Sequence, residues 1–535
     1  MESNPKTSIT WKRVSLVLLL ICCAAVLFCR KSDAFLRPQF WAEDGPVYFL
    51  SARDEGIDSW LKPHNGSLYL FQRLVAWAGS WLPVRFAPTY FNYASLAAIL
   101  GVAAYIARSR TNIRFSWLCA LAVAASPHEG EVFLNLTNVH WVLSLALVFV
   151  LISADPKTAR GAVLEATMVL VLCLSGPFIL VLLPFFLLRA FRNRTGYRFL
   201  LAGIAFFSFC LELRFANPNR AVGPVNFRDP SWLNLLGDRI SGLLFLGNGG
   251  VGIPADSVWL VAVSALLYGI LLVAACIRRD KACLVFLGTG CLLILATAYG
   301  YRGMPALGGA PRYCYVPAVC VVWALIRTLQ RSRVLAPAAA LALLCICVSS
   351  FFVGRSVPLP NLHWAKESRG IGGPGPWHVS INPSPWAIYY CPKGRPAEDI
   401  IVACASGRNN ERNGPSRNER RDDAGRTLDL KLDQPREVLE ATIEYQLAPQ
   451  DAADTDVRMS WRRLGSRGFQ LDDRTARIKA GGLGGLRTLT VWVYDTIDRI
   501  KIESASPSTD FKGCTVHLRT LQERHPTEIT LLDHR

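Results

Sequence analysis

The stretch FWAEDGPVYF (residues 40–49) follows the first apolar run of the chain and places two adjacent carboxylates, Glu43 and Asp44, between aromatic residues. Aromatic side chains favour the interface between membrane and water, and Gly45-Pro46 favours a turn. A carboxylate fixed in such a loop has the chemistry of a general base or of a ligand for a divalent cation. On spacing alone, the simpler interpretation is an interfacial loop whose acids face water.

Composition divides the chain into a membrane part and a polar part. Of the 535 residues, 51% are hydrophobic, and the mean hydropathy is +0.27. Repeated apolar runs fill residues 1–355, whereas residues 356–535 are polar. We therefore predict a mainly α-helical polytopic membrane domain over residues 1–355 and a separate soluble domain over residues 356–535.

The basic residues indicate membrane topology. A formal net charge of +18 raises the question of a nucleic-acid partner. In the first part, however, the basic residues lie in short loops beside apolar runs, so we expect the lipid bilayer and no nucleic acid as a partner. The five clusters are Arg108–Arg114, Lys157–Arg160, Arg189–Arg198, Arg278–Lys281 and Arg327–Arg333.

Counting crossings between these clusters gives the orientation. Residues 14–29 are interpreted as a retained helix, because Arg30-Lys31 follows and no small-residue cleavage site is evident. If all five clusters are cytoplasmic, the apolar runs give about eleven crossings. The odd count predicts a multi-pass membrane protein with its C-terminal domain outside the cytoplasm. For a bacterial protein this means the inner membrane, with the C-terminal domain in the periplasm.

Polar residues in the loops assigned to the far side are candidates for function, because polar groups at membrane depth are costly. These candidates are His64, His128, Glu129, Asn138, Arg302, Arg312 and Tyr313. A Pro311-Arg312-Tyr313 step that opens a helix favours an anion. Arg302 and Arg312 are equally well explained as anchors that flank helices.

Residues 356–535 alternate apolar and polar side chains, as strands do. The alternating segments are 427–432, 440–445, 457–461, 488–494, 499–502 and 515–521. With Gly, Pro and Asp between them, they predict a jelly-roll-like all-β sandwich. In an oxidising compartment Cys391 pairs with Cys404, or either pairs with Cys514, or all three stay reduced.

The acidic pair Glu43-Asp44 in the first external loop, the odd helix count and the external soluble domain together resemble the GT-C superfamily of membrane glycosyltransferases. Bacterial members have features similar to Arg312-Tyr313 and to the Gly176-Pro177-Phe178 break. The resemblance covers roughly residues 10–355 and rests on short motifs. Some relatives have a spaced acidic pair where this chain has adjacent acids, which leaves metal dependence open.

The resemblance implies transfer of a sugar from a polyprenyl-phosphate donor to an extracytoplasmic glycan or lipid-linked acceptor, by displacement with inversion. It implies that Asp44 is the base, or a ligand for Mg²⁺ or Mn²⁺, with Glu43 assisting. Arg302, Arg312 and Tyr313 are then expected at the donor phosphate. His64, His128, Glu129 and Asn138 are assigned to the acceptor site only because they share that side of the membrane.

Two other function classes fit part of the pattern. A transporter or flippase of a lipid-linked saccharide also needs broken helices and charges that face a cavity. Such proteins are expected to carry an internal repeat, and none is evident in this sequence. A membrane-anchored glycan-binding protein would act through the C-terminal domain alone.

Overall fold

The structure is a computed structural model, and it divides into two compact units, Met1–Asn361 (the helical unit) and Leu362–Arg535 (the tail unit). The boundary predicted from the sequence lies after residue 355, six residues earlier. The described residues are 5–127, 130–216, 242, 244–245, 258–300, 312–353, 358–384, 386–391, 397–404, 419–421, 427–446, 455–463, 470–471, 476–478, 486–504 and 515–521.

Fourteen helices are described in the helical unit. They are α1 (Pro5–Arg30), α2 (Ser32–Leu36), α3 (Leu50–Glu55), α4 (Leu70–Ser80), α5 (Ala87–Ala107), α6 (Ser116–Ala125), α7 (Val139–Ile152), α8 (Ala159–Cys173), α9 (Ile179–Asn193), α10 (Gly196–Phe215), α11 (Val258–Ile277), α12 (Lys281–Gly300), α13 (Arg312–Arg331) and α14 (Ala336–Val353). The tail unit adds α15 (Trp364–Glu367).

Four segments in the described part are long and apolar enough to cross a membrane: Val84–Ala107, Gly196–Phe215, Val258–Ile277 and Arg312–Arg331. Shorter apolar helices, such as Ser116–Ala125 and Val139–Ile152, accompany them. The protein is therefore mostly helical, with several helices suited to a membrane. The count of about eleven crossings stays a prediction.

Helices α7 and α13 form the centre of the helical unit. Every residue of α7 from Val139 to Leu151 is buried. Trp323 of α13 packs against Phe149 of α7 and Phe286 of α12, with ring centroids 4.6 and 5.2 Å apart. Its indole N–H donates to the Cys119 carbonyl (2.9 Å), so this large ring is buried with its polar atom satisfied.

The loop that contains Glu43 and Asp44 has more regular structure than the sequence suggested. Between α2 and α3 the chain forms a 3₁₀ turn over Ala42–Asp44 and a π-helical turn over Gly45–Phe49. Helix α4 was not predicted at all. It buries Gln72 and Arg73 on its inner face. Because helices were predicted from apolar runs, these polar residues kept the helix from being recognised in the sequence.

The tail unit is a β-sheet region. Its strands are β1 (Trp377–Ser380), β2 (Ala387–Tyr390), β3 (Ala397–Cys404), β4 (Glu419–Arg421), β5 (Thr427–Gln446), β6 (Thr455–Arg463), β7 (Gln470–Leu471), β8 (Ala476–Ile478), β9 (Leu486–Ser504) and β10 (Thr515–Leu521). Strands β1 and β2 pair with each other. The rest form one sheet in the order β3-β10-β5-β9-β6-β7, with β4 beside β5 and β8 beside β6.

Two pairs of predicted strands are in fact single long strands. Segments 427–432 and 440–445 both belong to β5, and segments 488–494 and 499–502 both belong to β9. The β5–β9 register shifts between Lys431 and Arg436 and again between Val438 and Glu440, and such bulges bend a sheet. Closure into a two-layer sandwich stays a prediction, and Cys514 lies outside the described residues.

Trp461 provides a test of the tail core. Its side chain is buried among Met459, Ile500 and Ile502, and its indole N–H donates to Asp495 (3.3 Å). We expect Trp461→Ala to destabilise a fragment of residues 362–535 by about 3–5 kcal/mol, the range for buried aromatic truncation. Urea unfolding followed by circular dichroism measures this. The exposed Lys431→Ala is the control, and equal midpoints for the two variants would contradict the assigned core.

Candidate functional site

The Asp44 carboxylate is fully buried and bonded on both oxygens. Oδ1 accepts hydrogen bonds from the Thr137 amide and from the Thr137 hydroxyl, each at 2.7 Å. Oδ2 accepts from the amides of Trp41 (3.2 Å) and Leu136 (3.4 Å). Asp44 therefore joins the loop between α2 and α3 to the segment that leads into α7.

Burial raises the pKa of Asp44 from 3.8 to about 6, while the hydrogen bonds from Thr137, Trp41 and Leu136 oppose that rise. Desolvation disfavours the ionised carboxylate more than the four donors favour it. The group thus titrates close to neutral pH, although its lone pairs are occupied by protein donors.

The neighbouring Glu43 is half-buried. Within the described residues, no hydrogen bond or ion pair engages its carboxylate, although it lies close enough to act electrostatically on Tyr48. The two acids of the motif therefore differ. The carboxylate oxygens of Asp44 accept hydrogen bonds that stabilise the fold, whereas those of Glu43 accept none from the described residues.

Lys31 is buried beside the acidic pair, directly after α1. Its ammonium donates to the Phe133 carbonyl (2.9 Å) and lies 5.1 Å from the centre of the Trp41 ring. Burial lowers the pKa of Lys31 to about 8, and the charges of Asp33, Asp44 and Glu131 oppose this. A cation at this point balances the carboxylates around it.

Arg312, predicted at the donor phosphate, forms an ion pair with Glu131. Its guanidinium also lies 5.1 Å from the centre of the Tyr313 ring, which in turn packs edge-on against Trp141 at 5.1 Å. One of the donors of Arg312 is thus engaged by a carboxylate. Through Glu131, Arg312 is connected to the charges around Lys31 and Asp44. We call the side chains of Lys31, Glu43, Asp44, Glu131 and Arg312 the acidic-end cluster.

The remaining predicted residues contribute differently. Asn138 is buried and holds its own loop, because its amide N–H donates to Asn135 Oδ1 (2.8 Å) and its side chain donates to the Glu131 carbonyl (3.1 Å). His64 is half-buried and contacts Asn65 at 2.9 Å. His128, Glu129 and Arg302 lie outside the described residues.

The Gly176-Pro177 break has a packing role. Gly176 has φ +133°, and a β-carbon there would lie 3.2 Å from the His140 ring. The His140 ring is placed by the Thr137 carbonyl, 2.8 Å from its Nδ1. Glycine is needed because the backbone passes so close to this histidine, and the break thereby supports the same segment that binds Asp44.

Sequence reasoning missed Lys31, Glu131 and Thr137 as members of this region. Lys31 follows an apolar run and has the pattern of an ordinary helix anchor. Glu131 was visible as a loop acid, but its pairing with Arg312 depends on two segments far apart in the sequence. No pattern in the sequence indicated a role for Thr137.

Asp44 fits a divalent cation poorly. Both oxygens of Asp44 face N–H and O–H donors, and the Lys31 ammonium is nearby. A metal ligand instead needs lone pairs directed at the ion. In the described part of the chain, no group of three or more His, Cys, Asp or Glu side chains has a geometry that would hold a metal.

Comparison with known proteins adds no relative. No protein-family model matches this chain, and a search of curated proteins finds no significant match. The functional inference therefore rests on the motif and on the geometry of the acidic-end cluster.

The pKa of Asp44 predicts a pH-dependent stability difference. The folded state holds this proton more tightly than the unfolded chain, so the contribution of Asp44 to the unfolding free energy is largest below pH ~4 and falls as pH rises through 6. Asn does not titrate. Going from pH 8 to pH 5, we expect wild type to gain roughly 1 kcal/mol over Asp44→Asn.

Thermal unfolding of both proteins in the same detergent across this pH range makes the measurement. The difference between their melting temperatures should shift in favour of wild type by roughly 1–3 °C at pH 5. A difference that stays constant with pH would contradict a raised pKa at Asp44.

Proposed function

We propose that this protein is an integral membrane glycosyltransferase of the GT-C type. It transfers a sugar from a polyprenyl-phosphate carrier to an extracytoplasmic glycan or lipid-linked acceptor. The observation that carries the proposal is the contrast within one motif, in which a fully bonded Asp44 holds in place a Glu43 that no described group engages. A rigid loop that presents one available carboxylate suits a general base.

A lipid-facing groove supports a lipid-linked substrate. Between α1, α6 and α14 lies an apolar cavity of about 530 Å³. Its lining includes Arg30 and Ser126, and the Arg30 guanidinium donates to the carbonyls of Ala124 and Ser126 at 2.8 and 2.7 Å. Arg30 precedes Lys31 of the acidic-end cluster, so the groove reaches the end of the helical unit where Glu43 lies.

In the proposed mechanism, Glu43 accepts the proton of the acceptor hydroxyl as that oxygen forms its bond to the anomeric carbon. The bond from that carbon to the phosphate oxygen breaks, and the lipid phosphate leaves with the electron pair. Inversion follows from attack on the opposite face. Arg312 and Tyr313 are the described candidates for contact with the phosphate, and Glu131 competes for Arg312.

In this mechanism the roles of Glu43 and Asp44 are the reverse of those first expected. Asp44 becomes a positioning residue, because its oxygens already accept four hydrogen bonds. The proposal retains about eleven crossings, a bacterial inner membrane and a periplasmic tail unit, with Glu43 at the periplasmic surface.

Glu43→Gln tests the proposal. We expect kcat to fall by ~10²-fold or more, the scale of general-base catalysis, without a change in melting temperature, because no described hydrogen bond is lost. The assay uses full-length protein in liposomes with polyprenyl-phosphate sugars as donors. Glu55→Gln makes the same chemical change at the end of the nearby α3, at a surface acid that pairs with Lys62 (2.5 Å), and it should retain activity.

The comparison with Asp44→Asn separates the two roles. A positioning residue should lower kcat less than Glu43→Gln does and should alter the pH dependence of melting. If Glu43→Gln kept full activity while Asp44→Asn was inactive but stably folded, Asp44 would be the general base. If wild type moves the lipid-linked sugar across the bilayer but never transfers it, the flippase alternative holds.

The donor set around Asp44 also predicts behaviour on metal removal. Since N–H donors and a lysine surround that carboxylate, we expect transfer to continue in EDTA at no less than half the untreated rate. Activity assayed before and after chelation, with Mg²⁺ or Mn²⁺ added back, decides this. A loss that either ion restores would assign a metal to the site.

A further inference from the structure

A second, polar cavity lies at the opposite end of the helical unit. It has a volume of about 590 Å³ and is lined by Leu151 and Ile152, at the C-terminal end of α7. Thr137, which binds Asp44, precedes the other end of this 14-residue helix, and a helix of that length spans about 20 Å. The cavity is therefore separate from the acidic-end cluster.

Among the described residues, seven basic side chains and one carboxylate line this cavity. Three of the arginines are mostly buried and are engaged by acids. Arg327 pairs with Asp280 (2.7 Å), and Arg189 and Arg198 both contact Asp155 at 3.2 and 2.8 Å. These pairs form part of the cavity wall, and they engage Asp280, the one carboxylate in the described lining.

The other cations remain in excess. Arg279, in the α11–α12 connection, and Lys281, the first residue of α12, are exposed. Their side chains make no hydrogen bond or ion pair within the residues that the structure describes. Arg331, at the end of α13, lies 3.9 Å from Asp280 and is 55% exposed. Arg278 is also exposed, and it donates to the Arg331 carbonyl. The cavity therefore concentrates positive charge that the described protein groups do not balance.

Membrane topology alone does not account for this arrangement. The preference for basic residues in short loops on one side explains their number. That preference does not require the basic residues to meet in one concave site, where they repel one another. The site is formed by the ends of α7, α9 and α13, the start of α10 and the α11–α12 connection. A bound anion removes that repulsion, and basic pockets between membrane helices suit phosphate head groups.

We propose that this cavity binds a phosphate-bearing anion, either the head group of an anionic phospholipid or a soluble phosphate compound. Its volume lies in the range of small-ligand sites. Arg279, Lys281 and Arg331 supply the contacts to the phosphate oxygens, and the buried arginine pairs fix the shape of the site. This site does not depend on the glycosyltransferase proposal.

The test uses full-length protein in nanodiscs of phosphatidylcholine, with and without phosphatidylglycerol. Arg279→Gln/Lys281→Gln removes two cations from the cavity. Lys157→Gln/Arg160→Gln removes two exposed cations at the same end of the unit, outside the cavity lining. Melting temperature is measured for each protein, and inorganic phosphate and pyrophosphate are titrated in pure phosphatidylcholine.

We expect an anion to stabilise wild type and the Lys157/Arg160 variant, and the cavity variant to bind it roughly tenfold more weakly or worse. Stabilisation by phosphatidylglycerol alone identifies a lipid head group, and stabilisation by phosphate or pyrophosphate identifies a soluble compound. If both double variants lose the same stabilisation, the effect is general surface charge and the proposal is wrong. Absence of stabilisation by every anion also overturns it.

Discussion

The helical unit depends on one buried carboxylate. Asp44 accepts hydrogen bonds from a residue of its own turn and from Leu136 and Thr137, more than ninety positions away in the chain. Each of these amides would otherwise be a buried donor without an acceptor, which costs about 1–3 kcal/mol. The ionised carboxylate is itself costly to bury, and Lys31 balances part of its charge. These hydrogen bonds fix the loop between α2 and α3 against the start of α7.

This constraint gives the neighbouring acid its chemical character. Because Asp44 fixes the backbone, Glu43 is presented from a rigid turn, half-buried and without a described partner. Around it, positive and negative side chains alternate from Asp44 through Lys31 and Glu131 to Arg312. Such alternation balances charge locally, and within the described residues it leaves the Glu43 carboxylate without a hydrogen-bond partner, as the proposed general base requires.

The two central helices separate two electrostatic environments. At the start of α7 and α13 lies the acidic-end cluster, and at their far ends lies a cavity rich in arginine and lysine. The helical core between them is apolar, with Trp323, Phe149 and Phe286 packed together. The described residues of the two sites do not overlap, and the length of α7, about 20 Å, separates them.

The sequence alone determined features that depend on local pattern. Long apolar runs located helices such as α5, α10 and α11, and period-two alternation located the strands of the tail, because burial against lipid or in a sheet selects those periods directly. It also singled out Glu43 and Asp44. Tertiary structure alone decided which acid is bonded, that Glu131 engages Arg312, that the polar α4 is a helix, and that separate alternating segments join into β5 and β9. Each of these depends on partners brought together by packing, and no local pattern encodes a hydrogen bond between residues ninety positions apart.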